Sequence, residues 1–346
     1  MDYINYVKEK PFTGYAGFGG GAGSFQFHSG SSTALFGDRA VNMGGQVRSS
    51  NTFLQNIDYF NIANSTGNAS DFGDLTANQR SGGAASNGSR GIVNGDERQS
   101  VDYITFATLS NASDFGDVTA NSPNNGPFQI NCVTDSNRVV WGGGGWYPSP
   151  GRSTQMMACA SIAVPSNITA ISGDLTQART NTATASNATR GVWNSGQHGQ
   201  APTYRSNVID YVTIATAGNA TDFGDNLQQR DESCGTFGET RGLFHGGVYT
   251  TGGGINEYNG TEYIVMDTTS NAFSFGSLNP KSRKMQGASN ATRATFSGGE
   301  PSPNSTATNE RIQTVVIMTT GNASDFGNLT SGGGEGRRLG SGCSGD

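Results

Sequence analysis

Long apolar runs are missing from this chain. The longest, Met156–Ala160 and Val315–Met318, hold five and four residues, where a membrane-spanning helix needs about twenty. No membrane span is expected. Charge is also sparse: Asp, Glu, Lys and Arg make up 14% of the 346 residues, the net charge is −6, and no basic cluster stands in the sequence. Nucleic acid is gripped through its phosphates by Lys and Arg, so that partner class is excluded. Proline, at 10 residues against 52 glycines, is too rare for a collagen-like chain. Four cysteines (Cys132, Cys159, Cys234, Cys343) show no Cys-x-x-Cys spacing, and three histidines are too scattered to complete a zinc site. No metal or other cofactor is expected. Met1–Lys10 lacks the apolar core of a secretory signal, and the cysteines are read as reduced, small core residues of a protein assembled in a cytoplasm.

A repeated phrase takes the place of what is missing. Gly67-Asn-Ala-Ser-Asp-Phe-Gly-Asp74 returns from Ser110, from Ser166 in looser form, and from Gly218, Ser270 and Gly321, at separations of 43, 56, 52, 52 and 51 residues. Three other segments accompany it in fixed order. One is rich in small residues (Thr182–Asn187). One begins with Arg and ends in glycines (Arg190–Gly196, Arg138–Gly144, Arg241–Gly247, Arg293–Gly299). One alternates (Ile209–Ile214, Ile57–Ile62, Val101–Phe106). β-Branched and aromatic residues at period two between Gly and Asn turns read as strands. No window sustains a helical period.

Four short strands in about fifty residues, six times over, predict an all-β six-bladed propeller. Strand a, innermost, carries the small residues that a crowded axis requires, with Cys132, Cys234 and Cys343 among them. Strand b carries a large wedge between blades: Phe36, Trp141, Trp193, Phe244 or Phe296. Strand c is the regular one, and strand d is the Asp-Phe-Gly edge. Thr33–Asp38 reads as a strand b without a strand a, and Gly336–Gly345 as a strand a without a strand b. The C-terminal strand is therefore expected to complete the first blade and close the ring. The reading divides the chain into an extended N-terminal arm, 1–30, and a propeller, 31–346.

A small-residue strand, a Gly pair, an acid before Tyr, and an aromatic and a Leu before Arg together resemble the kelch pattern. Gly246-Gly247, Asp210-Tyr211, Phe223, Leu227 and Arg230 occupy those places. Phe stands where kelch repeats usually have Trp. In this form the chain is similar to Gly- and Asn-rich propeller proteins of tailed-phage virions, especially phages of marine bacteria and cyanobacteria. The resemblance implies a structural virion protein, tail- or baseplate-associated, whose partners are other virion proteins. The alternatives are a host-surface glycan-binding propeller and a capsid decoration protein.

Residues that hint at chemistry mostly repeat, as scaffold residues should. Asp-Phe-Gly occurs without the other elements of a kinase. Asn-x-Ser/Thr at Asn68, Asn111, Asn187, Asn219, Asn290 and Asn322 reads as turn chemistry rather than glycan attachment. The acid pairs Asp71/Asp74, Asp114/Asp117 and Asp222/Asp225 are expected to meet Arg90, Arg138, Arg190, Arg241 and Arg293 in ion pairs between blades, with Ca²⁺ as the alternative. A glycosidase needs two unrelated carboxylates in one cleft, so no catalytic residue is assigned and the protein is read as non-enzymatic. His198 and His245 read as ordinary loop residues. The candidate contact residues are aromatic: Tyr3, Tyr6, Phe12, Tyr15 and Phe18 in the arm, and Trp146 and Tyr147 in the irregular stretch Gly142–Met157. Aromatics of this kind suit protein interfaces and sugar stacking alike.

Overall fold

A computed structural model describes residues 35–80, 82–95, 99–119, 127–146, 153–199, 204–252, 254–301, 309–330 and 336–346. The alternating segments form antiparallel strands, and among the described residues there is no helix. Six four-stranded sheets make the blades of a six-bladed β-propeller. From the axis outward, blade 2 holds strands a to d as Ala84–Ser86, Arg90–Asn94, Ser100–Thr105 and Ser113–Asp117. Blade 3 holds Asn131–Thr134, Arg138–Gly142, Met156–Ser161 and Thr169–Asp174. Blade 4 holds Ala183–Ser186, Arg190–Asn194, Tyr204–Thr213 and Thr221–Arg230. Blade 5 holds Cys234–Phe237, Arg241–His245, Gly260–Val265 and Phe273–Ser277. Blade 6 holds Gln286–Ser289, Arg293–Ser297, Arg311–Val316 and Ser324–Asn328.

Blade 1 takes strands from both ends of the sequence. Its strand a is Ser341–Gly345, which pairs antiparallel with Arg39–Met43 so that Cys343 faces Val41. Strands c and d follow as Thr52–Asn61 and Ser70–Gln79. The expected closure is present, but its register differs from the expected one. Strand b begins at Arg39, not at Thr33, because Arg39 and the Gly44-Gly45 exit (φ 60° and 114°) are the counterparts of Arg190 and Ser195-Gly196. Phe36 is therefore no blade wedge. Its ring packs 5.2 Å from that of Phe237, and the buried wedge position of blade 1 belongs to Asn42.

Strand b alternates its side chains between two interfaces. Trp193 joins Val133, Val140 and Met157 of blade 3, while Val192 joins Phe244 and Ile264 of blade 5. The same arrangement produces one apolar cluster at every blade junction, including Ala40 and Phe60 of blade 1 with Ile312 and Phe326 of blade 6. Trp141, Trp193, Phe244 and Phe296 are fully buried wedges. Truncating such a side chain costs about 3–5 kcal/mol. Cys132, Cys234 and Cys343 are buried in strand a, Cys159 lies partly buried in strand c, and all four are free thiols.

The Asp-Phe-Gly phrase serves the ring. Asn111 of blade 2 accepts a hydrogen bond at Oδ1 from the Asp74 N–H of blade 1 (3.0 Å), and the Ala112 N–H donates to the Asp74 carbonyl (2.8 Å). Asn167, Asn219, Asn271, Asn322 and Asn68 repeat this at the other five junctions, at 3.0–3.1 Å. The glycine before the clasped residue lets the next blade approach. A Cβ on Gly116 would lie 2.5 Å from the Ser166 carbonyl oxygen, and φ there is 138°, a region that L side chains rarely enter. The asparagines at the second repeated place behave as expected of turns. Asn187 Oδ1 accepts from the N–H groups of Thr189 and Arg190, and Asn290 does the same with Thr292 and Arg293.

The expected Arg–Asp pairs are not formed. The strand b arginines reach over to the carbonyls that follow strand c of the next blade. Arg90 donates to Ile162 and Ala163, Arg138 to Ala215, Arg190 to Met266 and Arg241 to Ile317. The guanidinium groups of Arg90, Arg190 and Arg241 lie over a strand c tyrosine of their own blade, Arg241 at 4.3 Å from the Tyr263 ring centre. Three acids on strand c do pair with arginines. Arg179–Asp210, Arg230–Glu262 and Arg337–Asp58 are ion pairs between neighbouring blades, nearly or fully buried. Breaking a buried pair by removing one partner typically costs about 3–5 kcal/mol. The position given to Leu227 by the kelch-like pattern is also corrected. Leu227 is 57% exposed, and Asn226 takes the buried place that Leu75, Leu175, Leu278 and Leu329 fill elsewhere, bonding to Asn194 and Ser195.

Two stability predictions follow from this geometry. Deleting Leu339–Asp346 removes the inner strand of blade 1 and leaves Arg39–Met43 an open edge. The truncated chain is expected to aggregate or to melt well below the full chain in a thermal scan, and a soluble monomer with unchanged Tm would refute closure. Gly116→Ala is expected to destabilise by about 2 kcal/mol or more through strain and contact. Asn167→Ala removes one hydrogen bond of the same clasp and should cost about 1 kcal/mol. Denaturant titration gives the ranking, and equal values for the two variants would disprove the role assigned to the glycine.

Candidate functional site

Of the aromatic contact residues expected from sequence, Tyr3, Tyr6, Phe12, Tyr15, Phe18 and Tyr147 lie outside the described residues. The backbone of Trp146 is placed: Gly145–Trp146 pairs with Pro127–Phe128 as a two-stranded ribbon beyond blade 3. The candidate site that the described residues assemble is elsewhere, at the propeller axis.

Small side chains of strand a leave an axial cavity of about 110 Å³. Ala84, Ala85, Cys132, Ala185, Thr236, Gly287 and Cys343 are among its walls, and Leu35 lines it as well. A second cavity of about 70 Å³ lies where the linkers from strand d enter strand a. Both are lined by Gly82, Asn131, Thr182, Ser233, Met285 and Gly340, so the second cavity is the mouth of the first.

The rim of that mouth is unusual in conformation. Gln129, Asn181, Glu232, Lys284 and Leu339 stand at the same place, two residues before strand a in blades 3, 4, 5, 6 and 1. Their φ angles are 53°, 53°, 56°, 56° and 56°, and all five line the mouth. A left-handed backbone costs a residue with a side chain about 1 kcal/mol or more. Glycine, which this chain uses at most other left-handed positions, relieves that cost. Here five side chains are retained, and the five differ: two amides, a carboxylate, an ammonium and an isobutyl group. The repeat that unifies the ring breaks down at its opening.

Charge gathers on the blade 5, 6 and 1 side of this mouth, although no basic cluster stands in the sequence. Glu300, fully buried, is held by Arg48 (2.6 Å), by Arg283 and by Arg338, with Lys284 Nζ at 3.8 Å. Glu232 accepts from Arg283 (2.6 Å) and lies 3.3 Å from Lys284 Nζ. Burial first, and then the nearby charges of Arg283 and Arg338 against that of Glu232, bring the Lys284 amine down to about 8. Arg338 is lowered to about 10, by burial and then by Arg48, Arg80 and Arg283. These residues come from linkers far apart in sequence, and no local motif announces them.

His245 is corrected from a loop residue to a core residue. It ends strand b of blade 5, fully buried, with Thr236 Oγ1 2.8 Å from Nε2 and Thr261 Oγ1 3.1 Å from Nδ1. Its ring stacks on Phe296 at 4.1 Å. Burial, helped by the Arg230 charge, holds its pKa at about 3. His198 lies in the two-residue strand Gln197–His198 beside blade 4. Among the described residues no group of three or more His, Cys, Asp or Glu is placed to hold a metal ion. Compared with protein-family models and with curated proteins, the chain matches none.

His245 makes the fold pH-sensitive. It is neutral when folded, so its contribution is complete above the unfolded pKa of about 6.5 and is lost as pH falls from there towards 3. The slope is about 1.4 kcal/mol per pH unit for one proton. Asp231, raised to about 6 mainly by burial, acts the other way and favours the fold as pH falls from 6 to 3.8. The difference between the full protein and His245→Gln isolates the histidine. Unfolding free energies measured from pH 6 to 4 should fall less steeply in the variant, and parallel profiles would show that His245 is not the group responsible.

Proposed function

We propose that the chain is a non-enzymatic structural component of a tailed-phage virion, tail- or baseplate-associated, with the propeller as a rigid platform and residues 1–30 as its anchor. The observation that carries this reading is where the repeated polar residues are used. The Asn of each Asp-Phe-Gly phrase, the strand b arginines and the strand c acids all join one blade to the next. Chemistry spent six times over on fastening a ring suits a protein whose task is to hold shape and present loops. The resemblance to Gly- and Asn-rich virion propellers supports the same conclusion. Partners are then other virion proteins, met through the aromatic arm and through the loop of Trp146 and Tyr147.

One observation favours a second reading, a propeller that recognises a host-surface glycan. The retained left-handed side chains at the axis mouth mark a place where binding outweighs backbone comfort. Deleting residues 1–28 separates the two readings. The armless ring is expected to fold, with an unchanged strand signature in circular dichroism, and to be missing from particles assembled in its presence. Normal incorporation would remove the anchor role and leave the blade loops as the attachment surface.

A further inference from the structure

Three side chains in the walls of the axial cavities carry polar atoms that no described residue satisfies. Thr182 Oγ1, 4% exposed as a residue, and Ser233 Oγ line both the mouth and the throat. Gln286, 1% exposed, lines the throat with both amide atoms unpartnered. Buried polar atoms are normally hydrogen-bonded, and leaving one unsatisfied costs about 1–3 kcal/mol. Three such side chains around one opening point to an occupant that supplies their partners.

The charge at the mouth gives the sign of that occupant. Lys284 lines the rim, and its ammonium converges with Arg48, Arg283 and Arg338 on Glu232 and Glu300. Arg283, Lys284 and Arg338 thus meet Glu232 and Glu300, with Asp231 beside them paired to Arg205, in a protein of net charge −6. Both glutamates are already engaged by guanidinium groups, so they act as internal counter-ions that hold the cations in place. Hydroxyl donors beside a partly buried ammonium are the chemistry of oxyanion recognition. A mouth of about 70 Å³ holds several waters, or a tetrahedral or planar oxyanion in their place.

We propose that the axis mouth is an anion-binding site that takes one oxyanion group, a carboxylate, phosphate or sulfate ester, against Lys284, with Thr182 and Ser233 as hydrogen-bond donors. Arg283 and Arg338 position the ammonium through Glu232 and Glu300. Gln286 lies deeper, where it meets a polar substituent next to the anionic group. The proposal rests on the mouth alone and stands apart from any position in a particle.

Calorimetric titration of the full chain at low ionic strength tests it, with sodium phosphate, sodium sulfate and sodium glucuronate as probes and sodium chloride as the control. Saturable binding of at least one probe, absent with chloride, is expected. Preference for the inorganic ions identifies a free oxyanion as the source, and preference for glucuronate identifies an acidic sugar. Lys284→Asn keeps a residue that tolerates the left-handed backbone and should weaken binding at least tenfold. Thr182→Val should weaken it at least threefold, and Leu227→Asn, on the exposed face of strand d in blade 4, should leave it within twofold. A second measurement needs no variant. Acetylation of Lys284 in the unaltered protein, read by peptide mass spectrometry at pH 8, should slow at least fivefold in the presence of the bound probe. The proposal is overturned if no probe binds beyond chloride, if Lys284→Asn binds as well as the unaltered protein, or if the bound probe leaves the acetylation rate unchanged.

Discussion

The contact on which the ring depends is the clasp between one blade's Asn-Ala and the backbone of the residue after the previous blade's glycine. Each clasp satisfies an N–H and a C=O at the outer strand, where a sheet edge otherwise stands unpaired. It is a short-range contact and tolerates no side chain at the glycine, which accounts for glycine standing there in all six blades while the residues before it vary, as in Ile171-Ser172-Gly173 and Ser274-Phe275-Gly276. Six such contacts, one of them joining blade 6 to blade 1 through Asn68 and Asn328, fasten the circle at its rim. The pairing of Ser341–Gly345 with Arg39–Met43 fastens it at the axis.

Between rim and axis the blades are held by different means with different tolerances. The apolar clusters need volume, and Trp, Phe, Val and Asn all occupy the equivalent wedge place in one blade or another. The ion pairs of Arg179, Arg230 and Arg337 need geometry, since a buried charge without its partner is costly. Where strand c of blade 6 carries Gln313 instead of an acid, the neighbouring linker supplies no arginine to it. Gln313 accepts instead from the Asn279 N–H and donates to the Pro280 carbonyl. The polar partners thus vary as pairs, and the fold keeps satisfaction of the buried group rather than a fixed residue.

Departures from the repeat gather at the axis mouth. Blade 2 has Gly82 at this place, while the other five blades hold left-handed residues with side chains, all different. The same linkers bring Arg283, Lys284 and Arg338 beside Glu232 and Glu300. The shared residues fasten blade to blade, whereas the residues at these positions differ from one another and line the mouth.

The period near fifty, the strand alternation and the two incomplete termini determined the architecture without reference to coordinates, because each is a local or cyclic property of the sequence. The wedges at Trp141, Trp193, Phe244 and Phe296 were legible for the same reason. The register of the first strand b was equally present, in Arg39 and Gly44-Gly45, but masked by the apolar Ala34-Leu-Phe36 just before it. Pairing was not legible. The strand b arginines turned to carbonyls rather than to Asp71 or Asp114, because closing the ring brings the end of the next strand c within their reach. His245 became a core residue because Phe296 of the next blade covers it. The axis mouth, with its basic side chains drawn from linkers up to about 290 residues apart, exists only once the ring closes. Sequence distance carries no information about which residues a circle brings to its centre.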